Sequence, residues 1–203
     1  IDGYLTAPVG AEAKGAPLIV YIHGGPYNIY DVWGFDPDAQ ILAAHGYAVL
    51  QVNFRGSGNH GHAFTLAGKR EWGGKMQDDI TDATRWAIQQ GIADPKRICL
   101  YGASYGGYAS LMGAVKEPDL YRCVAGYVGV YDLPTMHVDG DIRDRASGRT
   151  YIEEWIGPKD EVAKVSPNRL ASRIKVPVFL AAGGKDERAP IKHTEMMEKA
   201  LRN

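Results

Sequence analysis

The sequence predicts an α/β fold, a mostly parallel sheet covered by helices on both faces. Three observations predict it. Short apolar runs alternate with helix-like segments along the chain. Those runs are apolar at successive positions, as in strands buried on both faces, rather than at every second one. Finally, the run Arg97-Ile98-Cys99-Leu100-Tyr101 leads through Gly102-Ala103-Ser104-Tyr105-Gly106-Gly107 into a helical segment.

The elements follow in order. Residues 1–5 read as strand interior. Residues 18–22, after Pro17, read as a buried strand. Residues 38–45 form a short helix closed by Gly46, and 47–53 the next strand. Residues 76–90 give the clearest helix. Met76, Ile80, Ala83, Ala87 and Ile88 share one face, Asp78, Asp79 and Asp82 lie in the early turns, and Gly91 closes it. A strand over 97–101 precedes a helix over 105–115. Strands over 123–130 and 176–182 follow, then a helix opened by Pro190 and running to Leu201. Between Asp132 and Ser172 the pattern weakens into a polar, Gly- and Pro-containing stretch. It reads as an excursion over the top of the sheet, where substrate pockets form.

The 203 residues suit a single domain with a proper core. The net charge of −1, with acids and bases interspersed, argues against a nucleic-acid stripe, a polybasic membrane anchor or an acidic tail. Apolar runs are strand length, so no membrane-spanning helix is expected. There is no initiator Met, and both ends read as trimmed. Cys99 and Cys123 lie inside apolar strands and read as buried free thiols, which favours a reducing, cytoplasmic compartment.

Strand, Gly-x-Ser-x-Gly, helix is the nucleophile elbow of α/β-hydrolases. Gly102 and Gly106 flank Ser104 because a Cβ at either place would collide where strand and helix approach. His23-Gly24-Gly25-Pro26 follows the first long strand, where esterases carry a loop whose amides face a developing oxyanion. The expected oxyanion hole is the N–H of Gly25 plus the N–H of Tyr105. Asp186, on the loop after a late strand, fits the acid that orients an imidazole. Its neighbour helix begins too late for it to be an N-cap. Tyr131, Tyr151 and Trp155 are candidates to wall an apolar pocket, with plain core packing as the alternative.

Taken together, these stretches resemble the catalytic domain of the prolyl oligopeptidase family of serine peptidases, in its acylaminoacyl-peptidase and dipeptidyl-aminopeptidase-like branch. The matching segments are Ile22-His23-Gly24-Gly25-Pro26, Asn53-Phe54-Arg55-Gly56-Ser57, Gly102 through Tyr108, Gly129-Val130-Tyr131-Asp132, Ser166-Pro167 and Asp186-Glu187-Arg188-Ala189-Pro190. The resemblance implies Ser104 as nucleophile, Asp186 as triad acid and Arg188 as a grip on a substrate carbonyl. It also implies a β-propeller in the parent chain and a short peptide as substrate. It implies no cofactor or metal. A homo-oligomer is compatible with it. Two departures stand out: Ala189 replaces the family's usual Val, and His60-Gly61-His62 follows where Gly-Tyr-Gly is usual.

The triad order in this fold is Ser, Asp, His. The sole histidine after Asp186 is His193, which reads as a surface helix residue, so the base is expected beyond residue 203, along with a final strand and helix. Without it these 203 residues are expected to be inactive. His23 reads as structural. His45, His60, His62 and His137 read as solvated. Asp139, Asp141 and Asp144 lack the glycine and terminal Glu of a calcium loop, so they are not read as a metal site. Two alternatives to a serine peptidase remain: a carboxylesterase of the same fold, and a catalytically incomplete or non-catalytic module.

Overall fold

A computed structural model describes residues 1–8 and 14–203. The strands are β1 (Asp2–Thr6), β2 (Ala16–Ile22), β3 (Ala48–Asn53), β4 (Ala93–Ala103), β5 (Cys123–Tyr127) and β6 (Val178–Ala181). They form one sheet in the order β1-β3-β2-β4-β5-β6. β1 runs antiparallel to β3 and every other pairing is parallel. The chain leaves β2 to build β3 on one side, then returns to lay β4 on the other. The ends of β2 and β4 therefore meet at a switch of direction, where ligand sites form in such sheets.

Helix α1 (Pro37–Ala44) starts earlier than the sequence suggests. Asp36 accepts a hydrogen bond from the Ala39 amide at 2.9 Å, and Pro37 occupies the first helical position, which tolerates a missing N–H. A short α2 (His62–Leu66) precedes α3 (Lys75–Gln89). α3 buries Met76, Ile80 and Ala87 against the sheet, as its apolar stripe predicts. α4 (Tyr105–Lys116) is different. Every residue from Tyr105 to Val115 is buried, so it is a central helix without a solvent face.

The excursion folds into short pieces: α5 (Leu133–Met136), α6 (Asp141–Asp144), α7 (Ala146–Tyr151), a π-helical turn over Ile152–Ile156, and α8 (Lys159–Val162), followed by 3-10 turns to Arg173. α9 (Lys192–Arg202) packs back beneath it. The strand expected over 123–130 is shorter. Val128 takes a positive φ of 45°, and its amide bonds the Ala181 carbonyl at 2.8 Å as the chain turns off the sheet.

Cys99 and Cys123 are not free thiols but form a disulfide. The parallel register places them directly opposite on β4 and β5, with a Cα separation of 4.7 Å that suits a bridge. The argument from free thiols to a reducing compartment therefore falls. The disulfide borders a groove that also contains Ile41, Leu42 and Phe179, and Phe179 is 68% exposed. Among the described residues no helix is long and apolar enough to cross a membrane.

Candidate active site

The turn between β4 and α4 holds Ser104 at φ 56° and ψ −118°, a conformation that costs a non-glycine residue about 1–3 kcal/mol. Its glycine neighbours make the turn sterically feasible. A Cβ on Gly102 would stand 2.6 Å from the Ile22 carbonyl oxygen, and one on Gly106 would collide with the same oxygen. The end of β2, the end of β4 and the first turn of α4 thus touch backbone to backbone. The Ser104 amide is tied to the Tyr127 carbonyl at 3.0 Å, which anchors the turn to β5.

The loop after β2 lies alongside. A Cβ on Gly24 would be 3.2 Å from the Ala103 carbonyl oxygen and 3.6 Å from the Ser104 Cβ. Gly25 has φ 111°, open to glycine and disfavoured for any other residue. His23 locks this loop from below. A carbonyl can only accept, so Nδ1 donates to the Gly24 oxygen at 2.8 Å and Nε2 accepts from the Ser57 hydroxyl at 2.8 Å. The imidazole stacks on Phe54 with ring centroids 4.4 Å apart, and burial pushes its pKa down to about 4. It is neutral near pH 7, as both hydrogen bonds require. Arg55, from the same segment as Phe54 and Ser57, clamps the buried Asp79 of α3 through Nε at 2.7 Å and Nη2 at 2.5 Å. The segment 53–57 therefore buttresses the loop over the serine.

Tyr105 occupies the first position of α4, where a backbone N–H has no intrahelical partner. Its ring is buried among Phe54, Trp72 and Tyr108, and burial raises its phenol well above the usual range. Ser104 opens into a cavity of about 320 Å³. Gly25 and Arg188 border it, and Trp72, Val130, Met136, Ile142 and Tyr151 wall it.

Asp186 stands on the loop after β6. Its Oδ1 accepts from the Arg188 amide at 2.9 Å and the Ala189 amide at 2.8 Å, so these two N–H groups orient the carboxylate. Arg188 meets Asp141 side-on, Nε to Oδ1 at 2.6 Å and Nη2 to Oδ2 at 2.8 Å. The Arg188 hydrogen bond and charge hold the Asp141 carboxyl below the usual range.

Three expectations need correction. Tyr131 does not wall the cavity. It is fully buried, and its ring fills the space that Gly126 and Gly129 leave by lacking a Cβ. Trp155 does not line the Ser104 cavity either; it packs on Tyr27 with ring centroids 4.8 Å apart and has the Lys69 ammonium over its ring. His193 is not a surface residue but 1% exposed, its Nδ1 accepting from the buried Asp132 amide at 3.2 Å. Burial pushes its pKa down to about 4. The Asp132 carboxylate beside it stays ionised. Burial works to raise its pKa, but hydrogen bonds from Asn168 and Thr135 and the charge of Arg169 outweigh that. None of the six histidines lines the serine cavity. Sequence reasoning missed Trp72, whose local signal is a lone indole beside Gly73-Gly74. Among the described residues no group of three His, Cys, Asp or Glu side chains could hold a metal ion.

A serine on a strained elbow, at the end of a central strand in a mostly parallel sheet, defines the α/β-hydrolase fold. The pattern of the prolyl oligopeptidase family matches residues 33–203, and the chain belongs to that family. It is 36% identical to dipeptidyl aminopeptidase BIII of Pseudoxanthomonas mexicana, across 98% of this chain and 30% of that protein. It is 29% identical to the mouse (Mus musculus) acylamino-acid-releasing enzyme, across 94% of this chain and 27% of that protein. Among solved structures, the acylaminoacyl peptidase of Pyrococcus horikoshii superposes with a TM-score of 0.88 at 28% identity, over 98% of this chain and 32% of that one. The chain thus spans about three tenths of the relatives it matches.

Proposed function

We propose that this chain is the catalytic part of a serine peptidase acting on short peptides through an acyl-enzyme on Ser104. The observation that carries the reading is the strained Ser104 elbow facing a cavity bordered by Gly25 on one side and Arg188 on the other. The Ser104 hydroxyl attacks the scissile carbonyl carbon and passes its proton to a histidine. The oxyanion that forms rests on the N–H groups of Gly25 and Tyr105. Collapse breaks the C–N bond, the amine leaves with the histidine's proton, and water releases the acyl group. Asp186, one oxygen held by its own loop, offers the other to orient the imidazole. The apolar cavity walls favour an uncharged side chain next to the scissile bond, and Arg188 takes a substrate carbonyl. The same fold supports carboxylesterases, and Arg188 favours the peptidase. A β-propeller elsewhere in the parent protein, suggested by the greater length of the relatives, would limit the substrates to short ones.

The base comes from outside these residues. His193 is engaged by Asp132 and absent from the cavity, and the other five histidines are absent from it too. The test compares these 203 residues with the full-length protein, on an aminoacyl anilide and a p-nitrophenyl ester. The full-length protein turns over the anilide, and Ser104→Ala lowers kcat about 10⁶-fold. The 203 residues alone stay near the residual ~10³–10⁴-fold over water that an oxyanion hole and binding supply. Robust activity of the 203 residues, lost in His193→Ala, overturns the assignment of the base.

A further inference from the structure

The excursion over the sheet is hydrogen-bonded through Asp141 to the loop that carries Asp186. The Asp141 amide donates to the Glu187 carbonyl at 2.9 Å, fixing the Asp141 backbone against that loop. Gly140, at φ 96°, permits the approach. A Cβ there would lie 3.4 Å from the Glu187 oxygen and 3.6 Å from the Arg188 oxygen. From this anchored position the Asp141 carboxylate takes Nε and Nη2 of Arg188, the planar fork-to-fork geometry that fixes a guanidinium's orientation as well as its place. Nη1 has no partner among the described residues. Arg188 borders the Ser104 cavity, and Ile142, next to Asp141, walls it.

We propose that Asp141 is a positioning residue, presenting Arg188 to the substrate with Nη1 left free to donate to a peptide carbonyl. The inference rests on the reading of Arg188 as a substrate grip. Arg188 is 64% exposed and Asp141 37%, and an ion pair this open adds little to stability. It restricts the arginine instead. A long side chain held before substrate arrives loses less freedom on binding. Cavity wall and grip are then set by one contact, so a shift of the excursion moves both.

The test uses the full-length protein with wild type, Asp141→Ala, Asp141→Asn, Arg188→Ala and the Asp141→Ala/Arg188→Ala double variant. The substrates are a blocked dipeptide p-nitroanilide and p-nitrophenyl acetate, which lacks the second carbonyl. Asp141→Ala is expected to lower the peptide-to-acetate ratio of kcat/KM about 5- to 10-fold, mostly through KM on the peptide. Asp141→Asn keeps one acceptor and falls between. In the Arg188→Ala background, Asp141→Ala changes the ratio by less than about twofold, because the interaction it served is gone. An unchanged ratio in Asp141→Ala, with a ratio lowered by Arg188→Ala, overturns the role of Asp141 and leaves the grip standing. An unchanged ratio in Arg188→Ala overturns both. Equal losses on both substrates, or independent losses that multiply in the double variant, make Asp141 a structural prop and overturn the proposal.

Discussion

Replacing His193 by Asn should remove a defined part of the protein's acid sensitivity. The imidazole is buried, accepts from the Asp132 amide and has its pKa pushed from 6.5 to about 4. A base whose folded pKa lies below its unfolded one binds more protons when unfolded, so stability is full above pH 6.5 and drains away as pH falls toward 4. Between pH 7 and pH 5 this linkage costs about 2 kcal/mol for His193, and about as much again for His23, shifted to about 4 by the same cause. Asp31 acts the other way. Burial raises its pKa to about 6, so lowering the pH through 6 relieves a buried charge and returns about 1 kcal/mol. The wild type should therefore lose a net ~2–3 kcal/mol over that interval. Asn can still accept from the Asp132 amide but does not titrate. His193→Asn should be less stable than wild type at pH 7 by about 1–2 kcal/mol, from imperfect packing and hydrogen bonding. The two should converge by pH 5. Urea unfolding followed by tryptophan fluorescence at pH 7, 6 and 5 measures the gap. A wild-type-to-variant gap that stays constant across the three pH values refutes the reasoning and returns His193 to a solvated helix surface.

Other tests follow from the same geometry. Gly106→Ala should cost about 1–3 kcal/mol or more, because its methyl meets the Ile22 carbonyl in a backbone-to-backbone contact that cannot yield cheaply. Wild-type unfolding midpoint and undiminished labelling of the full-length protein by a fluorophosphonate would count against the elbow geometry. Peptides with Asp beside the scissile bond should be cleaved at least ~10-fold more slowly than those with Leu, since Trp72, Val130, Met136, Ile142 and Tyr151 carry no positive charge and the cation at the cavity's border, Arg188, is already paired with Asp141. Comparable kcat/KM values would show that this cavity does not receive that side chain. Thiol titration of the denatured 203-residue chain should find no free thiol before reduction and two after, from Cys99 and Cys123. Two reactive thiols without reductant would mean the bridge does not form.

What could be read directly from the sequence is what neighbouring residues impose on one another. Gly102, Ser104 and Gly106 announce the elbow because the strain and the space it needs belong to a few consecutive residues. Continuous apolar runs announce the strands, although burial along the whole length holds for β3 and not for β6, whose Phe179 is exposed. Asp186 announces itself by standing on the loop after β6. Which side chains meet across the fold was another matter. Cys99 and Cys123 face each other through the register of two parallel strands, and neither sequence neighbourhood carries that register. Tyr131 and Tyr151 look alike as aromatics near the excursion, yet one plugs the gap above Gly126 and the other lines the Ser104 cavity. His193 shares a helix with charged neighbours and still ends buried, because the Asp132 amide, 61 residues away, comes down onto it. The Arg188–Asp141 pair spans 47 residues in the same way. Backbone strain and apolar periodicity are local energies, paid within a turn or a strand. The partners of buried polar groups and cavity walls are chosen only when distant segments close over one another, and tertiary packing alone makes that choice.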